Sequence, residues 1–192
     1  MIQKTGVAWD CSLPFIRYIE DTGITCELIT PQMIGAPYYR GKLVSLIIPT
    51  GFGNKAYSDL LPALRASSAR IKRFLDKGGR VIVFGAMSTE ADRYDWLPVT
   101  VEYVSGYFSS PVHLIKDDPI TTIFEDFDTS EIDCDGYIKD PQGDVLAHTD
   151  DGKAIVVSYP IGKGTLIVTT IHEYPSRGFI RHFCTCESET LF

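Results

Sequence analysis

His172 carries the sharpest chemical signal in the chain. It directly follows the apolar run TLIVTTI, residues 165–171, and Glu173 comes next. An imidazole at the end of a buried strand is placed to act as a general base, with a carboxylate to fix its tautomer. The other reading is a histidine satisfied by backbone partners at the strand edge, and the residues leave both open. Cys11 follows a strand-like run, KTGVAW, residues 4–9. A helix N-terminus there would lower its thiol pKa, and adjacent Asp10 would oppose the effect. A small buried hydrophobe is the commoner role of a lone cysteine. Ser88, two residues past an apolar run ending in Gly85-Ala86, is a third candidate whose commoner job is helix capping.

Two turns could present backbone N–H groups or polar side chains beside these residues. TGFGN, residues 50–54, offers Thr50, Gly51 and Asn54. Its amides could meet an oxyanion or phosphate, or its glycines could simply serve a strand-to-helix turn. It lacks the Lys-Ser/Thr of a P-loop and the third glycine of a dinucleotide fingerprint. VIVFGAMST, residues 81–89, has the shape of a strand-to-helix elbow, with Met87 where a nucleophile would stand and Glu90 just beyond. In an open α/β sheet, ligands bind outside the carboxyl ends of the strands. Asp10, Thr50, Gly51, Asn54, Met87, Glu90, Glu173 and His172 are therefore read as facing one crevice. His113 and His148 belong to no metal-binding spacing. Cys184 and Cys186 have only His182 and Glu187 as nearby extra donors, so no metal and no cofactor is assigned.

The elements that must position these residues alternate in the first half. Strands are expected at 4–9, 26–30, 43–49 and 80–84, with helices at 13–21 and 60–77, the latter ended by Gly78-Gly79. Continuous apolar strands between helices predict a parallel sheet covered on both faces. From about residue 96 to 160 the pattern changes to short β-prone pieces (VTVEYV, SPVHLI, DGYIKD, DVLAHT) separated by turns (DDP, CDG, PQG, DDG). This reads as an antiparallel or mixed β region inserted after the parallel half. A hairpin around 162–164 then returns the chain to the main sheet, and a short helix is expected at 179–186.

Composition narrows the class. The chain has 192 residues, 44% hydrophobic and 22% charged, enough for one domain with a core. A net charge of −7 without Lys/Arg clusters argues against nucleic-acid binding. No apolar run approaches the roughly 20 residues of a membrane span, and the first residues do not read as a signal peptide. A cytoplasmic protein is expected. Five scattered cysteines do not form a disulfide framework.

Three segments, SLIIPTGFGN (45–54), GGRVIVFGAMS (78–88) and GKGTLIVTTIHEYPSRG (162–178), resemble in order and spacing the class I glutamine amidotransferase-like superfamily, close to its trehalose-utilisation-like branch. That resemblance implies a flavodoxin-like α/β sandwich with a mostly parallel central sheet. It also implies an oxyanion-hole turn at 50–54, an elbow at 85–89 and a catalytic His172, with homodimerisation on family grounds. Two departures bear on activity. Met87 stands at the family's nucleophilic cysteine, and a thioether cannot form the acyl intermediate. The family's H-x-E becomes His172-Glu173, whose side chains point to opposite sides of an extended segment. The expectation is an amidotransferase-like domain without glutaminase chemistry that binds a small polar ligand or serves as an assembly module. The alternative is a hydrolase or lyase with His172 as base and Cys11, Ser88 or an activated water as nucleophile.

Overall fold

A computed structural model describes residues 3–115, 118–186 and 188–192. Asp117 of the DDP turn and Glu187 lie outside them. The parallel part of the sheet uses β1 (Lys4–Ala8), β2 (Thr25–Ile29), β4 (Ser45–Ile48) and β5 (Arg80–Val83). A two-residue strand, β3 (Lys42–Leu43), precedes β4. Between these run α1 (Pro14–Glu20), α2 (Pro31–Gly35), α3 (Leu60–Ala66) and α4 (Ser68–Asp76). The second half supplies β6 (Glu102–Ser110), β7 (Val112–Leu114), a 3₁₀ turn at Pro119–Phe124, β8 (Ile132–Lys139), β9 (Asp144–Thr149), β10 (Ala154–Ile161) and β11 (Gly164–Thr169). Helix α5 (Arg177–Phe183) and β12 (Thr190–Leu191), paired with β3, close the chain.

Alternation builds the two layers. Val7 and Ile47 point to one face of the sheet, where Phe15, Ile16 and Ile19 of α1 and Phe179, Ile180 and Phe183 of α5 cover them. Ala8, Leu46 and Ile48 point to the other, under Leu60, Leu61 and Leu64 of α3 and Ile71, Phe74 and Leu75 of α4. Burial of a Leu, Ile or Phe side chain contributes about 1.5–3 kcal/mol, so each helix is held by its apolar stripe more than by its length.

The sheet corrects the expected architecture. Its main order is β2-β1-β4-β5-β11-β10-β8-β6, with β9 against β10 and β7 against β9. Only the first five of these strands run parallel to their neighbours. From β11 onward every pairing is antiparallel. Among the described residues the main sheet therefore has ten strands of mixed direction, and the fold is not a mostly parallel flavodoxin-like sandwich carrying an insertion. The β-rich segment continues the main sheet because the tight β10–β11 hairpin reverses the chain beside β5, leaving β10 as a free edge for β8 and β9 to extend.

Smaller differences have local causes. The helix expected over 60–77 is two helices, broken at Ser67 (φ −106°, ψ 5°). There the Ser67 hydroxyl donates to the Ile34 carbonyl, and Arg70 Nη1 donates to the Ala36 carbonyl at 2.8 Å, which fastens the break to α2. Helix α2 itself is five residues long, too short for its periodicity to show, and begins at Pro31 behind a Thr30 cap. Among the described residues no helix is long and apolar enough to cross a membrane.

Candidate functional site

The site forms where the parallel strands end and the chain leaves β11. Thr170 N donates to Ile155 O, Asp135 N to Thr170 O (2.7 Å) and His172 N to Asp133 O (2.8 Å). A single antiparallel bridge joins Cys134 to Ile171. These bonds clamp residues 170–172 against 133–135. His172 Nδ1 then lies 2.8 Å from Asp135 Oδ1, and Thr50 Oγ1 lies 2.6 Å from Asp135 Oδ2 and 3.1 Å from Gly85 O. The Asp135 side chain is 1% exposed, whereas that of His172 is 46% exposed.

A buried carboxylate is sustained only by donors. Asp135 obtains them from Thr50 and His172, and its backbone carbonyl also accepts from the Tyr103 hydroxyl. A carboxylate that accepts from Nδ1 leaves Nε2 of the imidazole as the outward nitrogen. The close approach depends on Gly85: a Cβ there would stand 2.9 Å from Asp135 Cβ. The Gly85 position thus makes room for a carboxylate from another strand.

Next to this triad is a pocket of about 170 Å³, lined by Trp9, Leu13, Phe15, Pro49, Thr50, Phe84, His172, Glu173 and Tyr174. Trp9 comes from the end of β1, Phe15 from α1 and Phe84 from the end of β5. Tyr174 stacks on Phe15 with centroids 4.5 Å apart and leans on Tyr18 at 5.2 Å. Glu173 Oε1 accepts from Asp133 N at 3.1 Å. Its Oε2 is buried without a hydrogen-bond partner among the described residues. The Tyr107 ring stands edge-on to His172 at 5.7 Å. A hydrogen bond to Asp133 is the main cause raising its hydroxyl pKa.

The structure gathers some of the sequence candidates and disperses others. His172, Thr50 and Glu173 line one pocket. Three amides of the TGFGN turn are engaged within the protein: Gly51 N donates to Gly85 O, Gly53 N to Ala86 O and Asn54 N to Gly51 O. Gly51 is needed for its left-handed backbone, φ 89°. Asn54 ties the loops together, donating from Nδ2 to Met87 O and accepting from Ala56 N. Asp10 fastens the start of α3, accepting from the Ser58 hydroxyl and from Asp59 N. Ser88 Oγ accepts from Arg93 Nε (3.2 Å) and Glu90 N, and Glu90 pairs with Arg93. Met87 sits at φ 51°, half-buried, outside the pocket lining. Cys11 is exposed, and it too is absent from that lining.

Sequence reasoning missed Asp135, the residue that orients His172. Its signal was weak: one acid within the run DCDG, 37 positions from His172. The structure also brings His113 and His148 together across β7 and β9, ring centroids 5.5 Å apart, with His113 Nε2 against Asp150. Cys184 is buried and Cys186 donates to Ser188 O.

No protein-family model matches the chain, and no curated protein matches it. Solved structures do. A cold-adapted β-galactosidase from Rahnella sp. R3 is similar with a TM-score of 0.59 and 13% identity, over 94% of this chain and 30% of that one. An exo-β-1,4-mannosidase from an Opitutaceae bacterium gives 0.52 and 12%, over 88% and 31%. A cytoplasmic protein from Salmonella typhimurium gives 0.56 and 10%, over 94% and 96%. The chain spans under a third of the glycosidases it resembles. At these identities the likeness is one of fold. It corrects the expected membership: the structural relatives are glycosidases and cytoplasmic proteins, and nothing among them supports the amidotransferase-like superfamily. The expected amidotransferase-like module loses its basis with it, whereas the alternative, a hydrolase or lyase with His172 as base and Cys11, Ser88 or an activated water, lies closer to the glycosidase neighbours but gains no detail from them. Three segments in matching order were too short a pattern to separate that family from other α/β proteins with glycine turns at their strand ends.

Proposed function

We propose that the pocket beside Asp135 and His172 binds a single unit of a neutral carbohydrate. The observation that carries this reading is the combination of aromatic walls with a held imidazole. Trp9, Phe15, Phe84 and Tyr174 contribute apolar aromatic surface, while Thr50 and His172 contribute hydrogen-bonding groups beside it. A pyranose has the matching construction, a face of C–H groups and an edge of hydroxyls. The pocket, at about 170 Å³, falls below the ~300–1,000 Å³ of drug-sized sites, which favours a small occupant. The glycosidase names of the structural relatives support the same ligand class, and the Salmonella relative supports a cytoplasmic setting.

Recognition is favoured over cleavage. Glycoside hydrolysis uses two carboxyl groups flanking the scissile bond. Here Asp135 is engaged by His172 and Thr50, and Glu173 by Asp133 N. Titration calorimetry with galactose, mannose and glucose tests the reading. At least one should bind with a Kd on the order of 1 mM or tighter, and His172→Ala should weaken it about tenfold, equivalent to about 1.4 kcal/mol. No heat with any of the three sugars would overturn the proposal.

A further inference from the structure

We infer that the ligand is the end of an oligosaccharide, with its terminal unit in the pocket and the next unit stacked on tyrosines at the mouth. The inference rests on the carbohydrate reading above and extends it to the size of the ligand. Large exposed hydrophobic side chains are few among the described residues; Tyr107 (66% exposed) and Tyr174 (43%) stand at the site, and Tyr57 (57%) lies beside Gly51, next in sequence to Thr50 of the pocket lining. Tyr174 belongs to the pocket wall, and Tyr107 meets the exposed ring of His172. Tyr57 and Trp9 converge on Gly51, both within 3.7 Å of the point where its Cβ would lie.

Exposed aromatic rings lose free energy to water unless something covers them, and tyrosine suits a half-wet contact because one end is apolar and the other polar. The pocket is too small for more than a terminal unit, so whatever covers Tyr57 and Tyr107 lies outside it while still attached to its occupant. A second sugar ring fulfils that condition. Its C–H face meets a tyrosine ring and its hydroxyls stay in water.

Calorimetry across chain length decides the matter, comparing galactose with galactobiose and galactotriose, and mannose with mannobiose and mannotriose. For whichever series binds, the disaccharide should bind about tenfold more tightly than the monosaccharide. Tyr107→Ala or Tyr57→Ala should remove at least part of that gain, and Tyr57→Ala, whose side chain is not in the pocket lining, should leave the monosaccharide Kd within twofold of the wild type. Both side chains are exposed, so a folded variant is expected, and an unchanged melting temperature verifies it. Equal affinity for one, two and three units would overturn the inference and spare the monosaccharide site. A gain with length that survives both substitutions would also overturn it. Failure of every sugar to bind would overturn the underlying reading as well.

Discussion

The parallel and antiparallel halves of the sheet meet at Gly85, and they contribute to the site in different ways. The parallel half supplies walls and one hydroxyl: Trp9 from β1, Thr50 after β4 and Phe84 after β5. The antiparallel half supplies the charge, Asp135 on β8, together with Tyr107 on β6. The parallel strand ends alone would leave His172 without its carboxylate. What unites the halves is the antiparallel exit of the chain from β10 and β11, which carries β8 across to lie against residues 170–172. A strand-end crevice in this fold is therefore completed by strands that run the other way.

The largest expected effect comes from separating the halves at their seam. Gly85→Val would place a branched side chain where even a single Cβ stands 2.9 Å from Asp135 Cβ. Overpacking of this kind costs about 1–3 kcal/mol. Chemical denaturation should show that loss, and ligand binding should fall with it because Asp135 and Thr50 are displaced together. A variant with wild-type stability and binding would show that Asp135 is not held against the Gly85 turn.

The same seam explains what the sequence revealed and what it hid. Continuous apolar runs marked β4, β5 and β11, and the strong amphipathic pattern marked the helical stretch over 60–77, because burial on one or two faces writes itself into local composition. His172 was legible because its position at a strand end is a local property. Asp135 was not, because its role depends on β8 lying beside the chain after β11, a pairing between residues 37 apart. The elbow at 85–89 misled for a related reason. A glycine turn after a strand is common to several needs, and only the three-dimensional neighbour shows that Gly85 yields space to Asp135. Strand direction was legible in part, since the turns within 96–160 and the hairpin at 162–164 point to antiparallel pairing; that these strands continue the main sheet was hidden, because it depends on pairings far apart in sequence.

One half-buried and one buried thiol sharpen the contrast at an intermediate scale. Cys26 belongs to the parallel half and Cys134 to the antiparallel half, one residue from the carboxylate of the site. Burial, as the largest cause, pushes both from 9.0 to about 12, aided at Cys26 by Cys184 and at Cys134 by Glu173. The sign follows from proton counting. Above about pH 9 the unfolded chain has lost thiol protons that the folded chain retains, so the unfolded state binds fewer and stability falls as pH rises toward 12. Melting temperatures measured from pH 8 to 11 should decline. Cys134→Ala should flatten part of that decline, and a similar share should vanish in Cys26→Ala. A profile unaltered by either substitution would mean that both thiols ionise as readily in the folded protein as in the unfolded one. At pH 8, iodoacetamide should modify exposed Cys11 well before Cys134.

The smallest effect is expected at Met87, where the sequence pointed most strongly to a lost nucleophile. Its backbone stands at φ 51°, a left-handed conformation that costs an L-residue about 1–2 kcal/mol. Met87→Gly removes that strain but returns roughly 0.5–1 kcal/mol in unfolded-state entropy, so the net change should be a stabilisation of a few tenths to about 1 kcal/mol. Because Met87 is not among the residues lining the pocket, its substitution should leave sugar affinity unchanged while Gly85→Val, two positions earlier, weakens it. That pair of neighbours tests the division of labour directly. If Met87→Gly weakens binding as much as Gly85→Val does, the elbow belongs to the site after all. If the two effects separate, the turn serves the site through the space at Gly85, and the side chain at its tip serves the fold.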